Sequence, residues 1–220
     1  MDSLDRLNEI KAKLGNVGPA VMAVSKQKPA SAVIPLLDAG HRLFGENRVG
    51  EALEKWQDLK KKYPDINLHL IGHLQKNKIN DALKIFDSID TVDSPELANA
   101  LARRDISGKT FMAEVNIGGE PQKTGFSPRE IDAFLENSPI PITGLMCVPP
   151  AGEEPSPYFA LLKEIAKRHS NIKELSMGMS SDYEIAAAQG ATIVRLGTIL
   201  FGARDYSKNL VALTKDFKDR

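Results

Sequence analysis

The sequence has little of several features that define particular protein classes. Its 220 residues include one cysteine, Cys147, so no internal disulfide can form, which is typical of a reducing compartment. No apolar run approaches the roughly 18 residues that a membrane-spanning helix needs, and the first residues form no apolar signal region. Because 29 Lys and Arg residues balance 29 Asp and Glu residues, no global charge favours nucleic acid or an anionic membrane. We therefore expect a cytoplasmic protein that binds neither.

What the chain does contain is a regular alternation of short apolar runs with helical segments. A first helix is predicted over residues 4–14, and eight strand–helix units follow. The predicted strands cover residues 21–26, 42–45, 67–72, 85–91, 110–116, 140–146, 174–176 and 191–196. Eight alternations with short connections favour a closed (β/α)8 barrel over an open doubly wound sheet. Since no linker or change of composition interrupts them, residues 1–220 are predicted to form one α/β domain with an extra N-terminal helix.

A lysine follows the first predicted strand, in the run Val21-Met22-Ala23-Val24-Ser25-Lys26. Burial disfavours the charged ammonium ion, so the pKa of Lys26 is expected below its reference value of about 10.4. A neutral amine at the carboxyl end of a barrel strand is suited to Schiff-base formation. A lysine in this position can also simply extend its charged end into solvent. The choice between the two depends on the rest of the chain.

The loops after the seventh and eighth predicted strands lie where barrels often bind phosphate. Ser180 and Ser181 present hydroxyl and N–H groups at a predicted helix start, which favours an anion. Gly197 and Thr198 supply further amide groups from the facing loop. Ser180 alone could merely cap a helix, and Gly197 alone could merely turn the chain. The two loops together favour a bound phosphate.

Arg195 lies within an apolar strand, between Val194 and Leu196. A buried guanidinium group keeps its proton and needs an acceptor, which is either a structural carboxylate or a ligand atom. A lysine able to form an imine, a phosphate cup and a strand-borne arginine in one barrel together suggest pyridoxal 5′-phosphate (PLP).

Six segments resemble the pyridoxal phosphate homeostasis proteins, and together they span nearly the whole chain. They are Ala23-Val24-Ser25-Lys26-Gln27-Lys28-Pro29, Phe44-Gly45-Glu46-Asn47, His69-Leu70-Ile71-Gly72-His73-Leu74-Gln75-Lys76-Asn77-Lys78, Gly144-Leu145-Met146, Ser176-Met177-Gly178-Met179-Ser180-Ser181-Asp182, and Val194-Arg195-Leu196-Gly197-Thr198 with Phe201-Gly202-Ala203-Arg204. The resemblance implies a fold type III, PLP-binding barrel similar to the N-terminal domain of alanine racemase, without established catalytic turnover.

The same resemblance implies roles for six residues: a Schiff base with the cofactor for Lys26, a position beside the ring for Asn47, contact with the pyridine nitrogen for Arg195, and phosphate binding for Ser180, Gly197 and Thr198. Gly50 departs from the family pattern, in which glutamine is usual. The departure concerns the outer pocket and leaves the cofactor site as the resemblance describes it.

Three classes of function are compatible with these residues. The first is a monomeric carrier or buffer of PLP, a vitamin B6 form, whose partners would be PLP-dependent apo-enzymes. The second is a PLP-dependent racemase or lyase, and the third is a barrel aldolase that forms an imine without a cofactor. An arginine at the pyridine nitrogen leaves the ring a weak electron sink, which suits the carrier or a tightly controlled racemase.

A racemase also needs a second acid/base opposite Lys26. In alanine racemase this group is a tyrosine of the partner's C-terminal domain, for which we expect no counterpart here. Tyr206 is the remaining candidate among the four tyrosines. We therefore expect a protein that is not an enzyme.

Other polar residues have simpler interpretations. The four histidines, at positions 41, 69, 73 and 169, lack metal-ligand spacing with Cys147, so no metal site is predicted. Cys147 is expected to serve in packing. The loop containing Glu120, Lys123 and Gly125 is predicted to form either a lid or a braced structural loop.

Overall fold

The computed structural model describes residues 2–202, and eight parallel strands within them close into a barrel. The strands are β1 (Ala20–Val24), β2 (Leu43–Glu46), β3 (Asn67–Leu70), β4 (Ser88–Val92), β5 (Thr110–Val115), β6 (Gly144–Cys147), β7 (Glu174–Ser176) and β8 (Ile193–Leu196). Each strand pairs with the next along the chain, and β8 pairs back onto β1. The predicted (β/α)8 barrel is confirmed.

A helix precedes the barrel and helical segments follow every strand. They are α1 (Ser3–Leu14), α2 (Ala30–Asp38), α3 (Val49–Lys62), a 3-10 turn (Lys76–Lys78) leading into α4 (Ile79–Ile85), α5 (Pro95–Ala102), α6 (Ile131–Asn137), α7 (Ser156–Lys167), α8 (Tyr183–Gln189) and α9 (Thr198–Phe201). Within residues 2–202, no helix has both the length and the apolar character that crossing a membrane requires. Arg204 and Tyr206 lie outside the described residues, and a single domain over 1–220 stays a prediction.

Several strand boundaries differ from the predicted ones by a few residues, and three of the differences have clear local reasons. β1 ends at Val24, because Gln27 has a positive φ of 60° and the chain turns before it, with the Lys28 N–H bonded to the Ser25 carbonyl at 3.0 Å. β6 begins at Gly144 and not at Ile140, since Pro141 has no N–H to donate to a neighbouring strand. β4 begins three residues late because Ile85 still belongs to α4.

The apolar core has two parts, separated by the wall of the barrel. The larger part fills the space between strands and helices, and its largest fully buried side chains include Trp56, Phe44, Phe86, Phe111 and Phe159. A smaller cluster, made of Met22, Val24, Met112 and Ile193, packs separately. Because successive strand side chains point to opposite faces, this second cluster fills the barrel interior.

The barrel interior also contains a buried polar group on β3 and β4. The Asp90 carboxylate accepts hydrogen bonds from His69 Nδ1 at 2.9 Å and from Ser88 Oγ at 2.6 Å. Burial opposes protonation of His69, but Asp90, with Glu174 and Asp87 further away, raises its pKa above the usual value. No group of three or more His, Cys, Asp or Glu side chains in residues 2–202 could hold a metal ion.

Two glycines near the rim provide a matched test of packing. A Cβ atom on Gly72 would lie 2.3 Å from the backbone oxygen of Asn47, whereas nothing lies within 4 Å of one on Gly50. We expect Gly72→Ala to lower the free energy of unfolding by about 1–3 kcal/mol through overpacking. Gly50→Ala, inside α3, should raise it by up to about 1 kcal/mol, because alanine is the better helix former.

Denaturant titration of the two variants measures both effects. Equal or higher stability of Gly72→Ala relative to Gly50→Ala would contradict the close approach of Gly72 to the β2–α3 connection.

Candidate functional site

Lys26 lies in a tight turn directly after β1, at the carboxyl end of the barrel. The turn begins at Ser25, which is fully buried and whose N–H donates to the Gly45 carbonyl at 3.1 Å. Lys26 itself is half-buried, as expected for a side chain at the mouth of the barrel. The second lysine of this segment is directed elsewhere, since Lys28 Nζ donates to the Phe201 carbonyl at 3.0 Å.

A cavity of about 220 Å³ opens between the ends of β1, β7 and β8. Its lining comprises Val24, Lys26, Ile71, Met179, Ser180, Ser181, Arg195, Gly197 and Thr198. Five of the six residues that the sequence singles out therefore border one cavity, although they come from opposite ends of the chain. The direct pairing of β8 with β1 is what brings them together.

Backbone amide groups from two loops surround one side of this cavity. Among residues 2–202, the N–H groups of Ser180, Ser181, Gly197 and Thr198 form no hydrogen bond. Free N–H groups in neighbouring turns form a typical binding site for an oxyanion. Since α8 has seven residues and α9 has four, these local amides and not a long helix dipole supply the attraction.

The structure excludes one of the two interpretations of Ser180, that of a cap for the following helix. α8 begins at Tyr183 with Asp182 in the cap position, so Ser180 does not cap it. Instead, Ser180 Oγ accepts a hydrogen bond from the Ile199 N–H at 3.3 Å and so joins the two loops. The preceding Gly178 has a φ of 92°, and a Cβ there would lie 2.5 Å from that of Ala186. This glycine lets the first loop lie close against α8.

Arg195 is 5% exposed and is held by main-chain oxygens. Its Nη1 donates to the carbonyl and, at 2.9 Å, to the hydroxyl of Ser176, and its Nη2 donates to the Cys147 carbonyl at 2.7 Å. No carboxylate forms an ion pair with it among the described residues, so the structural-carboxylate interpretation is wrong. Burial lowers the pKa of Arg195, and nearby Asp90 and Glu114 oppose that shift.

Asn47 is not grouped with the other five residues. It lines a neighbouring cavity of about 420 Å³ at the ends of β2 and β3, together with Arg48, Val49, Gly50, Gly72, His73, Gln75 and Lys78. Its Oδ1 atom is buried and has no hydrogen-bond partner among the described residues. Its position beside a cofactor ring stays a prediction. Gly50 does border this outer pocket, and the missing side chain leaves it open.

The loop after β5 and the side chain of Cys147 are both held by their surroundings. In the loop after β5, Lys123 forms an ion pair with Glu120 and also donates to the Val148 carbonyl at 3.3 Å. Asn116 Nδ2 donates to the Glu120 carbonyl at 2.8 Å, so the loop is braced from within. Burial raises the pKa of the Cys147 thiol to about 12, as suits a packing residue.

Sequence reasoning missed a titratable residue inside the barrel. Glu114 lies on β5, four strands round the barrel from β1, in the same alternation phase as the interior Met112. Burial and then the Asp93 carboxylate raise its pKa to about 7, although a hydrogen bond from Thr124 and the charges of Arg195 and His73 oppose the shift. Side chains alternate between the two faces of the predicted fifth strand, so Glu114 lies on the same face as Met112. This alternation could have indicated a glutamate inside the barrel.

Sequence reasoning also missed a buried ion cluster beneath the Lys26 turn. Glu46, at the end of β2, is fully buried and lies 2.7 Å from the ammonium nitrogen of Lys55 on α3. A charged residue directly after the apolar residues of β2 could have indicated Glu46. Nothing in the sequence indicates that Lys55, nine residues later, is its partner.

Comparison with known proteins agrees with this geometry. The family model for the alanine racemase N-terminal domain matches residues 4–205. An alanine racemase from Clostridium difficile has the same fold, with a TM-score of 0.72 at 18% identity, over 92% of this chain and 56% of that one. The fold and the site thus define an alanine-racemase-type barrel.

Relatives of higher sequence identity indicate which family of alanine-racemase-type barrels contains this chain. The pyridoxal phosphate homeostasis protein of Aquifex aeolicus is 34% identical, covering 94% of this chain and 100% of that protein. The human protein of the same name is 39% identical, covering 87% and 79%. PipY of Synechococcus elongatus, whose structure with PLP bound is known, has a TM-score of 0.79 at 36% identity, covering 91% and 100%. The chain belongs to the pyridoxal phosphate homeostasis protein family.

Proposed function

We propose that this protein binds PLP in the cavity beside Lys26, attaches it covalently at that lysine, and acts as a carrier or buffer in PLP homeostasis. The observation that carries the proposal is that Lys26 and four backbone N–H groups, which form no hydrogen bond within residues 2–202, border one cavity of about 220 Å³. Relatives at 34–39% identity are named for this role. The proposed setting is the cytoplasm, with the protein as a monomer and PLP-dependent apo-enzymes as recipients.

The donor groups of the cavity fit the chemistry of PLP. When bound, PLP supplies an aldehyde that condenses with primary amines and a ring that can accept electrons. The amides of Ser180, Ser181, Gly197 and Thr198 would bind its phosphate, and the lysine amine would take the aldehyde carbon. Arg195 would meet the ring nitrogen, and Asn47 would reach the ring from the adjacent cavity.

Arg195 suits a carrier, or a racemase with tightly controlled intermediates, because it leaves the ring a weak electron sink. Its guanidinium group is tied to Ser176 and Cys147, and it cannot accept a proton. A ring nitrogen that faces an arginine is not protonated by it, so the ring withdraws electrons weakly. The residues of this site are therefore suited to holding the cofactor and poorly suited to stabilising a carbanion.

Removal of the lysine amine provides the main test. Purified Lys26→Ala, incubated with PLP and then treated with borohydride, should gain no mass, whereas the unchanged protein should gain one PLP adduct. The fold should survive, because the side chain is half-buried at the rim and contributes little packing.

Lys28→Ala is the matched control, since Lys28 belongs to the same turn but donates to the Phe201 carbonyl. It should keep the adduct. Peptide mapping that finds the adduct on Lys28 or Lys76 in the unchanged protein would refute the assignment to Lys26.

The phosphate should provide much of the binding energy. Charge-assisted hydrogen bonds contribute about 1.5–3 kcal/mol each, so pyridoxal, which has no phosphate, should bind at least about tenfold more weakly than PLP. Gly197→Asp would put a carboxylate among the phosphate-binding amides and should abolish retention.

Gly197→Asn has nearly the same shape without the charge and should lose less affinity than Gly197→Asp. Titration of both variants with PLP and with pyridoxal separates charge from bulk. Equal affinities for the two ligands in the unchanged protein would show that the loops do not bind phosphate.

The carrier proposal also predicts the outcome of incubation with amino acids. In deuterated water, the PLP-loaded protein should neither accumulate the opposite enantiomer of an amino acid nor incorporate deuterium over many turnovers. Loss of a proton-transfer partner typically costs about 10²–10⁴-fold in rate, and Arg195 supports the carbanion poorly. Chiral chromatography with mass spectrometry measures both quantities.

Sustained racemisation would favour the enzyme alternative. In that case the candidate second bases would be Glu114, on the strand four places from β1, and Tyr206. Loss of racemisation in Glu114→Gln or in Tyr206→Phe would identify which of the two acts.

A further inference from the structure

Behind the Lys26 turn lies a buried group of interacting side chains, which we call the Lys55 cluster: Ser25, Glu46, Glu51, Lys55 and Trp56. The side chain of Lys55 is 6% exposed and that of Glu46 is 0% exposed. Lys55 Nζ lies 2.7 Å from Glu46 Oε1, 3.1 Å from Glu51 Oε1 and 2.7 Å from the Ser25 carbonyl oxygen. All three ammonium protons therefore have acceptors.

Glu46 is fixed from three directions. Its Oε1 atom accepts from Lys55, from Ser25 Oγ at 2.6 Å and from Trp56 Nε1 at 3.0 Å. These donors come from the Lys26 turn and from α3, so the carboxylate joins the end of β2 to both. A shift of the Lys55 ammonium group would break its own bonds to Glu46, Glu51 and the Ser25 carbonyl.

The cluster holds the peptide groups on both sides of Lys26. Before Lys26, the Ser25 carbonyl accepts from Lys55. After it, the N–H of Gln27 donates to Glu51 Oε1, the atom that also accepts from Lys55. Gln27 has a φ of 60°, in the left-handed region that is unfavourable for residues other than glycine. The turn therefore depends on support from α3.

Stability alone does not account for a cluster of this kind. Buried ion pairs are often matched or surpassed in stability by apolar side chains of similar volume, because removing charges from water is costly. An apolar side chain in place of Lys55 could not donate to the Ser25 carbonyl, which precedes Lys26. Nor could it bond to Glu51, which accepts from the Gln27 N–H after Lys26. The geometry is suited to orienting the lysine.

We propose that Lys55 is a positioning residue for Lys26: through Glu46, Glu51 and the Ser25 carbonyl, it directs the lysine amine to where a bound aldehyde can be reached. This inference rests on the proposed function. It requires that losing Lys55 slows covalent attachment while leaving the affinity of the cavity for phosphate and ring intact. The proposed phosphate-binding loops follow β7 and β8, and within residues 2–202 no hydrogen bond joins them to the cluster.

The experiment compares Lys55→Met with Lys60→Met, a control from the same helix whose ion pair with Asp87 lies away from the Lys26 turn. Two ligands separate the effect on the orientation of Lys26 from the effect on binding in the cavity. PLP can attach to Lys26, whereas pyridoxine 5′-phosphate has the same ring and phosphate but no aldehyde. Attachment is followed by borohydride trapping and mass spectrometry, and affinity is followed through the fluorescence of the single tryptophan, with calorimetry as a check.

We expect Lys55→Met to attach PLP at least tenfold more slowly than the unchanged protein, with its affinity for pyridoxine 5′-phosphate within about threefold. Lys60→Met should match the unchanged protein in both measurements, and Lys55→Arg, which keeps the charge and several donors, should recover part of the rate. A normal attachment rate in Lys55→Met would overturn the inference, as would a parallel loss of attachment and pyridoxine 5′-phosphate affinity.

Glu51→Ala provides the same test if Lys55→Met does not fold. The side chain of Glu51 is 24% exposed, and its loss frees the Gln27 N–H while leaving the Lys55–Glu46 pair in place. Slower attachment with unchanged affinity supports the inference, and an unchanged rate refutes it. Failure of the proposed function is distinguishable, because the unchanged protein itself would then form no adduct.

Discussion

The pairing of β8 with β1 is the contact on which the site depends. In the observed register, Ala23 lies opposite Leu196 and Met22 opposite Arg195, so the residues that follow these strands emerge next to each other. A Cβ atom on Gly197 would lie 3.3 Å from the Val24 carbonyl oxygen, which shows how closely the two strand ends approach. Closure of the barrel thereby joins a lysine from the first eighth of the chain to amide groups from its last fifth. An open sheet, with β1 and β8 at separate edges, would hold these groups apart.

The second constraint is the cost of charge inside a small barrel. Barrels of this type are usually filled by branched apolar side chains, yet this one contains Arg195, Asp90, His69 and Glu114. The surroundings that accommodate these polar side chains differ. Main-chain oxygens surround the guanidinium group, Asp90 lies against His69, and Glu114 keeps its proton up to a pH of about 7 because burial and Asp93 oppose its ionisation. With no carboxylate of residues 2–202 paired to it, Arg195 stays a fixed cation beside the Lys26 cavity.

Two neighbouring cavities at the rim, the one beside Lys26 and the one beside Asn47, differ in how closely the surrounding chain packs around them. The cavity beside Lys26 is bordered by two loops that Ser180 joins through its bond to Ile199. The neighbouring one is bordered by exposed cationic side chains and by Gly50, where an added side chain would meet nothing. The departure of this chain from its family therefore falls on the less constrained cavity. The loops after β7 and β8 have glycine, Gly178 and Gly197, where each approaches a neighbouring segment closely.

The sequence by itself determined the order of elements and most of the cavity lining. Periodicity predicted eight strands and their alternation with helices. The residue types after β1, β7 and β8 indicated Lys26, Ser180, Gly197 and Thr198. Short segments suffice for such predictions, because local hydrogen bonding and glycine conformations depend on residues that are close in sequence. The sequence could not supply the acceptors of Arg195, the partner of Glu46 or the cavity in which Asn47 lies. Those contacts join residues that are distant along the chain or on different strands, and only the closure and register of the barrel bring them within a few ångströms. The same holds for Glu114, whose unusual pKa arises from burial and from Asp93, a residue twenty-one positions earlier that no local pattern connects to it.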